Sequence, residues 1–93
     1  MAFDWDENKR LANIEKHGID FVDAKEIWEG QVLETRSDQV GHEETRYIAL
    51  GVMQGHVIAV IYTWRRRQRR IISARKARRR EKAIYEGALG RGA

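Results

Sequence analysis

The sequence predicts an α+β fold with two amino-terminal helices, an antiparallel sheet of about four strands and one carboxy-terminal helix. Apolar residues recur at three- and four-residue spacing before residue 30, which is typical of amphipathic helices. Between residues 46 and 63 they instead form two strand-like runs, joined by the two-residue turn Gln54-Gly55. A charged segment that begins at Arg75 indicates the final helix.

The 93 residues are enough for one domain, which we assign to residues 1–93, with a small hydrophobic core. Cysteine is absent, so no disulfide is expected to stabilise this domain. The longest apolar run, Val57 to Tyr62, is far shorter than the ~20 residues that span a bilayer. The first six residues are acidic and do not resemble a signal peptide. We therefore expect a cytoplasmic protein that has no membrane segment.

The amino-terminal third contains the two predicted helices. Phe3-Asp4-Trp5 is either an edge strand or a hydrophobic anchor. Asp6 is a good helix N-cap and Gly18 a good helix stop, which predicts a helix over residues 6–17. A second helix is predicted over residues 20–29. The apolar stripes that should face the core are Leu11 and Ile14 in the first helix and Phe21, Ala24, Ile27 and Trp28 in the second.

Strand patterns and turns make up most of the remaining chain. His56 to Thr63 is apolar on both faces, which predicts a central strand. The predicted elements are a strand at 31–35, a polar loop at 37–44, strands at 46–53, 56–63 and 70–73, a basic turn at 65–69, and a helix at 75–87.

The charge is divided unevenly along the chain. Residues 1–44 carry five Lys or Arg and 12 Asp or Glu, a net charge of −7. Residues 45–93 carry 13 Lys or Arg and two Asp or Glu, a net charge of +11, so the net charge of the whole chain is +4. Clustered basic charge favours a nucleic-acid partner. The acidic half could simply offset the basic half, and an acidic protein partner also stays open, whereas a membrane surface is disfavoured because the basic helix lacks a bulky apolar face.

The predicted last helix concentrates the candidate site residues. Arg75, Arg78, Lys82 and Tyr85 are three, four and three residues apart, so a continuous helix would place them on one face. Glu81 would lie beside this face, either in an ordinary ion pair within the helix or in a catalytic role.

Two arginines begin predicted strands near this helix. Arg46 and Arg70 could hold a phosphate between their guanidinium groups, or could be solvated strand ends. Tyr62 and Trp64 share a strand face, and packing in the core or at an edge is favoured over stacking on a base.

The histidines do not indicate a metal site. His17, His42 and His56 are scattered without the spacing of metal ligands, so neither a metal nor another cofactor is predicted. His17 follows Lys16 at a helix end, where a cation that stabilises the helix terminus is favoured over a catalytic base.

RNA cleavage without a metal is compatible with these residues. The ribose 2′-OH attacks the adjacent phosphate while the enzyme positions the strand, accepts a proton and stabilises negative charge. Arginines on a sheet could stabilise that charge, and Glu81 or Tyr85 could transfer protons. A non-catalytic nucleic-acid-binding protein fits the same residues equally well.

Three segments carry a family resemblance. They are Phe3-Asp4-Trp5-Asp6 with Lys9 and the run from Asn13 to Phe21; Glu44 to Gly51; and Arg70 to Ala77, followed by Glu81 and Tyr85. In this order they resemble the BrnT toxin family of type II toxin–antitoxin pairs. Gly41-His42-Glu43 departs from the Tyr-Gly pair that the family pattern has before the acid.

The resemblance implies a RelE-like fold and a metal-independent endoribonuclease that arrests translation. It also implies a BrnA-like antitoxin with a ribbon-helix-helix part, which forms a heterotetramer with the toxin, binds operator DNA and represses the operon. Taking charge and resemblance together, we predict catalytic roles for Arg46, Arg70, Arg75, Glu81 and Tyr85, and RNA binding by Lys16, His17, Glu44, Arg65, Arg67, Arg78 and Lys82. A binding module without catalysis, or an inactivated toxin that keeps only its antitoxin surface, stays open.

Overall fold

A computed structural model describes residues 2–37 and 44–90, in which five strands form one sheet with helices on both faces. The strands are β1 (Phe3–Trp5), β2 (Leu33–Ser37), β3 (Arg46–Met53), β4 (His56–Arg65) and β5 (Gln68–Lys76). The helices are α1 (Glu7–His17), α2 (Phe21–Ala24), which continues as a 3₁₀ turn over Lys25–Glu29, and α3 (Arg79–Tyr85), which continues as a π turn over Glu86–Gly90.

The sheet has the strand order β1-β5-β4-β3-β2. Three of its four pairings are antiparallel, and β1 runs parallel to β5. The mixed α/β class, the central position of β4 and the Gln54-Gly55 turn confirm the predictions. The predicted strand number is too low, because Phe3–Trp5 is an edge strand rather than only an anchor.

The ends of α1 confirm their prediction. The Asp6 carboxylate accepts hydrogen bonds from the backbone N–H groups of Asn8 and Lys9, at 2.8 and 3.2 Å. At the other end Gly18 has φ 72° and donates its N–H to the carbonyl of Ile14 at 2.8 Å. Glycine adopts this left-handed conformation readily, so the helix stops here.

Each sheet face has its own apolar cluster. The α1/α2 face packs Ile19, Phe21, Ala24 and Ile27 against strand residues Ala49, Ile58, Val60, Tyr62, Ile71 and Ala74. The α3 face carries a smaller cluster of Leu50, Ala59 and Tyr85, flanked by Leu33, Ile48, Val57 and Leu89. Since side chains alternate along a strand, the residues between those of the first cluster point toward the α3 face.

The polar side chain of Asn13 forms the junction between α1 and the sheet. Its Nδ2 group donates to the carbonyls of Ile19 and Ala74, both at 2.8 Å, and its Oδ1 atom accepts the N–H of Ala74 at 3.1 Å. The amide thereby pairs with β5 beyond the last residue that β1 reaches, Ile71. The prediction that Leu11 and Ile14 face the core is wrong: they are 51% and 36% exposed, because α1 turns Asn13 inward.

The boundary between β5 and α3 differs most from the prediction. Pairing with β4 continues to Lys76, so the strand is nine residues long and α3 begins only at Arg79. A bulge at Ile72, where Ile61 pairs with Ser73 and Tyr62 with Ile71, lets both Ile71 and Ala74 enter the core. The backbone hydrogen bonds between β4 and β5 and the burial of apolar side chains thus outweigh the helical preference of the residues around Arg75.

Two smaller differences concern β2 and its loop. The strand lies two residues later than predicted, at Leu33–Ser37. Most of the predicted polar loop, residues 38–43 with His42, lies outside the described residues. Among the described residues, no helix is long and apolar enough to cross a bilayer.

We expect Asn13→Ala to lower the free energy of unfolding by about 2–4 kcal/mol, because the buried N–H and C=O of Ala74 both lose their partner. Urea denaturation measures this change. Asn8→Ala, at an exposed position on the same helix, is the matched control and should change stability little. An Asn13→Ala protein as stable as the Asn8→Ala control would contradict the proposed role of this amide.

Candidate active site

A row of polar side chains crosses the α3 face at the end that α3 leaves uncovered. The strand register pairs Ser37 with Arg46, Thr63 with Arg70, and Arg70 with Asp4. Arg46 lies level with Thr63, because the residue after Arg46 pairs with the residue before Thr63. Strands lie about 4.8 Å apart, so Arg46 and Arg70 flank Thr63 with Cα atoms about 10 Å from each other.

Carboxylates position the two arginines of this row. The Arg70 Nη1 group donates to Asp4 Oδ2 at 2.5 Å, and the Arg46 Nε group donates to Glu44 Oε1 at 3.2 Å. Between them, the Thr63 hydroxyl donates to the carbonyl of Thr45 at 2.7 Å. A guanidinium has five N–H donors, so Arg70 can keep its contact with Asp4 and still bind an anion.

Two adjoining clefts lie over and beside this row. The first has a volume of about 360 Å³ and is lined by Lys9, Glu44, Thr63, Trp64, Arg65, Arg70 and Ile72. The second, of about 260 Å³, runs between α1 and β5 and is lined by Lys9, Ala12, Asn13, Lys16, His17, Ile72 and Ser73. The two clefts share Lys9 and Ile72 and are therefore adjacent to each other. Each carries basic side chains, which suits an extended anion.

Arg75 lies on β5, so the predicted helix face that joins it to Arg78, Lys82 and Tyr85 is wrong. Its guanidinium forms a two-pronged ion pair with Glu81 of α3, at 2.7 and 3.0 Å. Glu81 also accepts the backbone N–H of Arg78 at 2.8 Å. This ion pair therefore connects the sheet to the first turn of α3, rather than linking two residues of one helix.

The ion pair determines the chemistry open to Glu81. The Arg75 guanidinium holds the pKa of this carboxyl below its ordinary value of 4.5, and the Arg78 N–H adds to that effect, while partial burial opposes it. The pKa of Arg75 is raised by the same contact. A carboxylate with a lowered pKa is a weak proton acceptor near neutral pH. These contacts favour a structural role for Glu81.

Tyr85 lies beneath α3. It is 7% exposed and contacts Leu50 and Ala59 within the smaller apolar cluster. Its hydroxyl donates to the backbone carbonyl of Gln31 at 2.8 Å. Tyr85 lines neither of the two clefts, and its contacts attach α3 to the segment before β2.

The structure distributes the other predicted RNA-binding residues over three places. Glu44 and Arg65 line the first cleft, and Lys16 and His17 line the second. Arg67 lies in the turn between β4 and β5, and Arg78 directly precedes α3. Lys82 lines a separate cleft with His56, Lys76 and Glu86.

Three residues of this candidate site were not predicted: Lys9, Asp4 and Thr63. Asp4 and Thr63 could have been found by aligning the predicted strands, because both lie beside Arg70 in the register. Lys9 gave no signal beyond its place in a family-like segment.

Arg69, one of the arginines between residues 65 and 82, is buried and packs against aromatic side chains. Arg69 is 8% exposed on the α1/α2 face, and its guanidinium lies 4.8, 5.3 and 4.6 Å from the ring centres of Trp28, Tyr62 and Trp64. Burial, with a hydrogen bond to Glu34, raises the pKa of Tyr62 to about 12. Packing is therefore confirmed for Tyr62, as the sequence favoured. Trp64 is half-exposed and packs against Tyr62 and Arg69 at the edge of this cluster.

Within residues 2–37 and 44–90, no three His, Cys, Asp or Glu side chains come together as a group that could hold a metal ion.

The comparison with protein families places this chain in the class of ribonuclease toxins of type II toxin–antitoxin systems. The family described as "Ribonuclease toxin, BrnT, of type II toxin-antitoxin system" matches residues 5–81. Since the match covers most of the chain, this chain belongs to the BrnT toxin family, as the resemblance implied. Its class implies an RNA substrate and an antitoxin partner. Among curated proteins no significant match is found.

The Arg75–Glu81 ion pair should make stability depend on pH. Glu81 has a lowered pKa in the folded protein, so the pair stabilises the fold above 4.5 and loses this effect as the pH falls through the lowered value. Glu81→Gln should therefore lower the Tm at pH 7, and the difference from the natural protein should shrink below pH 4.5. Thermal unfolding across this range measures it.

Glu15→Gln is the matched control for that experiment. Glu15 is an exposed carboxylate of α1, and its substitution should shift the Tm little at any pH. A Tm difference for Glu81→Gln that stays constant from pH 7 to pH 3 would contradict the role of the ionised pair.

Proposed function

We propose that the α3 face cleaves RNA without a metal ion, at the row formed by Arg46, Thr63 and Arg70. The observation that carries this proposal is the placing of two carboxylate-held arginines on either side of Thr63, beside a cleft that Thr63, Arg70 and the Arg46 partner Glu44 line. The ribose 2′-OH attacks the adjacent phosphorus, its proton passes to an acceptor, and the 5′-oxygen of the next nucleotide leaves with a proton. The products are a cyclic phosphate end and a 5′-hydroxyl end.

The arginines stabilise the negative charge that develops on the phosphate oxygens. Guanidinium groups bind phosphate through parallel N–H donors, and such contacts strengthen as charge accumulates in the transition state. Asp4 and Glu44 fix the orientation of these groups before RNA arrives, which lowers the ordering cost of the reaction. Lys9, a residue of α1, lines one side of the cleft.

The proton acceptor is one of the titratable side chains that line the clefts. Glu44 borders the first cleft and His17 the second, and both residue types commonly transfer protons in enzymes. Arg75, Glu81 and Tyr85 support the site by holding α3 on the sheet.

Membership of the family and the resemblance in the sequence support the following biological setting. The protein acts in the cytoplasm as a RelE-like toxin and arrests translation by cutting RNA. A BrnA-like antitoxin with a ribbon-helix-helix part neutralises it, and the heterotetramer of the two binds operator DNA and represses the operon. The antitoxin covers the basic α3 face with an acidic or polar segment, which the net charge of +11 on residues 45–93 supports.

We expect purified, antitoxin-free protein to cleave labelled RNA equally well with and without EDTA. Arg46→Ala and Arg70→Ala should each lower the cleavage rate on the order of 10²-fold, since each removes a charge aimed at the transition state. Arg36→Ala is the matched control, because Arg36 is an exposed β2 residue that pairs with Tyr47 on the other sheet face. Circular dichroism checks that all variants fold.

Two results would contradict this proposal. Loss of cleavage on adding EDTA would exclude the metal-independent reaction. Unchanged cleavage by both Arg46→Ala and Arg70→Ala would remove the site from this row. If free RNA is not cut at all, the same variants are tested on translating ribosomes.

A non-catalytic binding module is the second candidate, because the two side chains predicted to transfer protons are engaged elsewhere. Glu81 is held by Arg75, and the Tyr85 hydroxyl donates to Gln31. Such a module binds nucleic acid with an affinity that falls steeply with salt and forms no product on RNA or ribosomes. Product formation that depends on Arg70 excludes it.

We expect the affinity between this protein and its antitoxin to fall as the salt concentration rises, because opposite charges meet across the interface. Titration calorimetry at several salt concentrations measures this dependence. An affinity that stays constant or increases with salt would contradict the proposed cover of the α3 face.

A further inference from the structure

The turn between β4 and β5 has an unusual backbone for its residues. Arg66 and Arg67 are its two central residues and have φ angles of 53° and 66°. A two-residue hairpin turn with both φ angles positive is a type I′ turn, for which Asn-Gly is strongly preferred. Residues with a large side chain enter this left-handed region at a cost, and such strain often lies at functional sites.

The opposite end of β4 has the same kind of turn with a more suitable residue. Gln54 and Gly55 have φ angles of 51° and 84°, and glycine occupies the second position. The two hairpins serve the same central strand, so joining strands does not by itself require arginine at either position. The arginines at 66 and 67 therefore call for an explanation other than folding.

The position of the turn supplies that explanation. A third cleft, of about 470 Å³, is lined by Asp4, Arg65, Arg66, Gln68 and Arg70. It shares Arg65 and Arg70 with the cleft over the proposed cleavage row. A phosphate bound here would lie next to that row.

The charges of the turn are also open to a ligand. Arg65, Arg66 and Arg67 are all exposed. In the part of the chain that the structure describes, none of their guanidinium groups has a carboxylate within ion-pair distance. Arg46 and Arg70, by contrast, each have one.

We infer that the Arg66-Arg67 turn is a phosphate-binding element that holds the RNA backbone beside the cleavage row. The inference rests on the proposed ribonuclease function and extends it to a second contact site, outside the reacting phosphate. The strained turn is retained because it presents adjacent guanidinium groups at the end of a rigid hairpin. Its ligand is the sugar-phosphate backbone of single-stranded RNA, bound through charge rather than through base sequence.

The test replaces the turn with the pair that its backbone prefers. The double variant Arg66→Asn with Arg67→Gly should have a Tm higher by about 5 °C, because the strain is removed. It should bind RNA more weakly, and the negative slope of log K against log salt should become shallower by about 1.4, since each lost phosphate contact accounts for about 0.7 on a single strand. The probe is a 2′-O-methyl oligonucleotide, which lacks the attacking hydroxyl, followed by fluorescence anisotropy at several salt concentrations.

Two controls separate strain from charge. Gln54→Asn acts at the other turn of β4 and should raise the Tm without changing RNA binding. Arg66→Gln with Arg67→Gln removes the charge but keeps residues with large side chains in the left-handed conformation. It should weaken RNA binding as much as the first variant, with little gain in Tm.

The results distinguish this inference from the proposed function. If the natural protein cleaves RNA and both double variants bind the probe with unchanged affinity and salt slope, the turn is not a binding element and only this inference fails. If the natural protein neither binds the probe nor cleaves RNA, whether free or on translating ribosomes, both fail. Weaker binding and a shallower salt dependence in both double variants, with RNA cleavage retained at saturating RNA concentration, supports a contact outside the reacting phosphate.

Discussion

The site depends on the long antiparallel pairing of β4 with β5. This pairing extends from Arg65 and Gln68 at the turn to Ile58 and Lys76 at the far end. It places Arg70 and Arg75 on the same sheet face, with the bulge at Ile72 correcting the alternation between them. In a regular strand without this bulge, Ile71 and Ala74 are three residues apart and would lie on opposite faces, so one of them would leave the core. The same irregularity therefore supports both the core and the site.

The neighbouring residues Arg69 and Arg70 consequently have different roles. Arg69 points into an aromatic cluster on the α1/α2 face and carries the cation–π and ion-pair contacts that order that edge of the sheet. Arg70 points to the other face and lines the clefts. Because side chains along a strand point alternately to the two sheet faces, neighbouring arginines contribute to packing on one face and line the clefts on the other.

The sequence predicted the features that depend on local chemistry. The start and stop of α1 followed from Asp6 and Gly18, and the first hairpin followed from Gln54-Gly55. The features that depend on distant partners were missed. Arg75 was predicted to be helical, because its pairing with β4 cannot be seen in the sequence. The buried role of Asn13 was not predicted, because it depends on Ala74, which is 61 residues away along the chain. Arg46 and Arg70 were predicted as strand-end arginines that could hold a phosphate; the strand register places them on the same sheet face, and their binding role stays a prediction.

The acidic half of the chain offsets the basic half selectively. Asp4, Glu34 and Glu44 from residues 1–44 pair with Arg70, Arg69 and Arg46. Glu81, the one acid between residues 65 and 82, pairs with Arg75. Each carboxylate orients its arginine and also neutralises part of the positive electrostatic potential of that arginine. The arginines of the β4–β5 turn have no such partner among the described residues and keep their full charge toward solvent. Oriented groups stabilise a localised transition-state charge, whereas exposed ones attract and retain a polyanion over a longer range. The distribution of acids therefore separates the proposed cleavage row from the proposed phosphate-binding turn, although both are built from the same residue type.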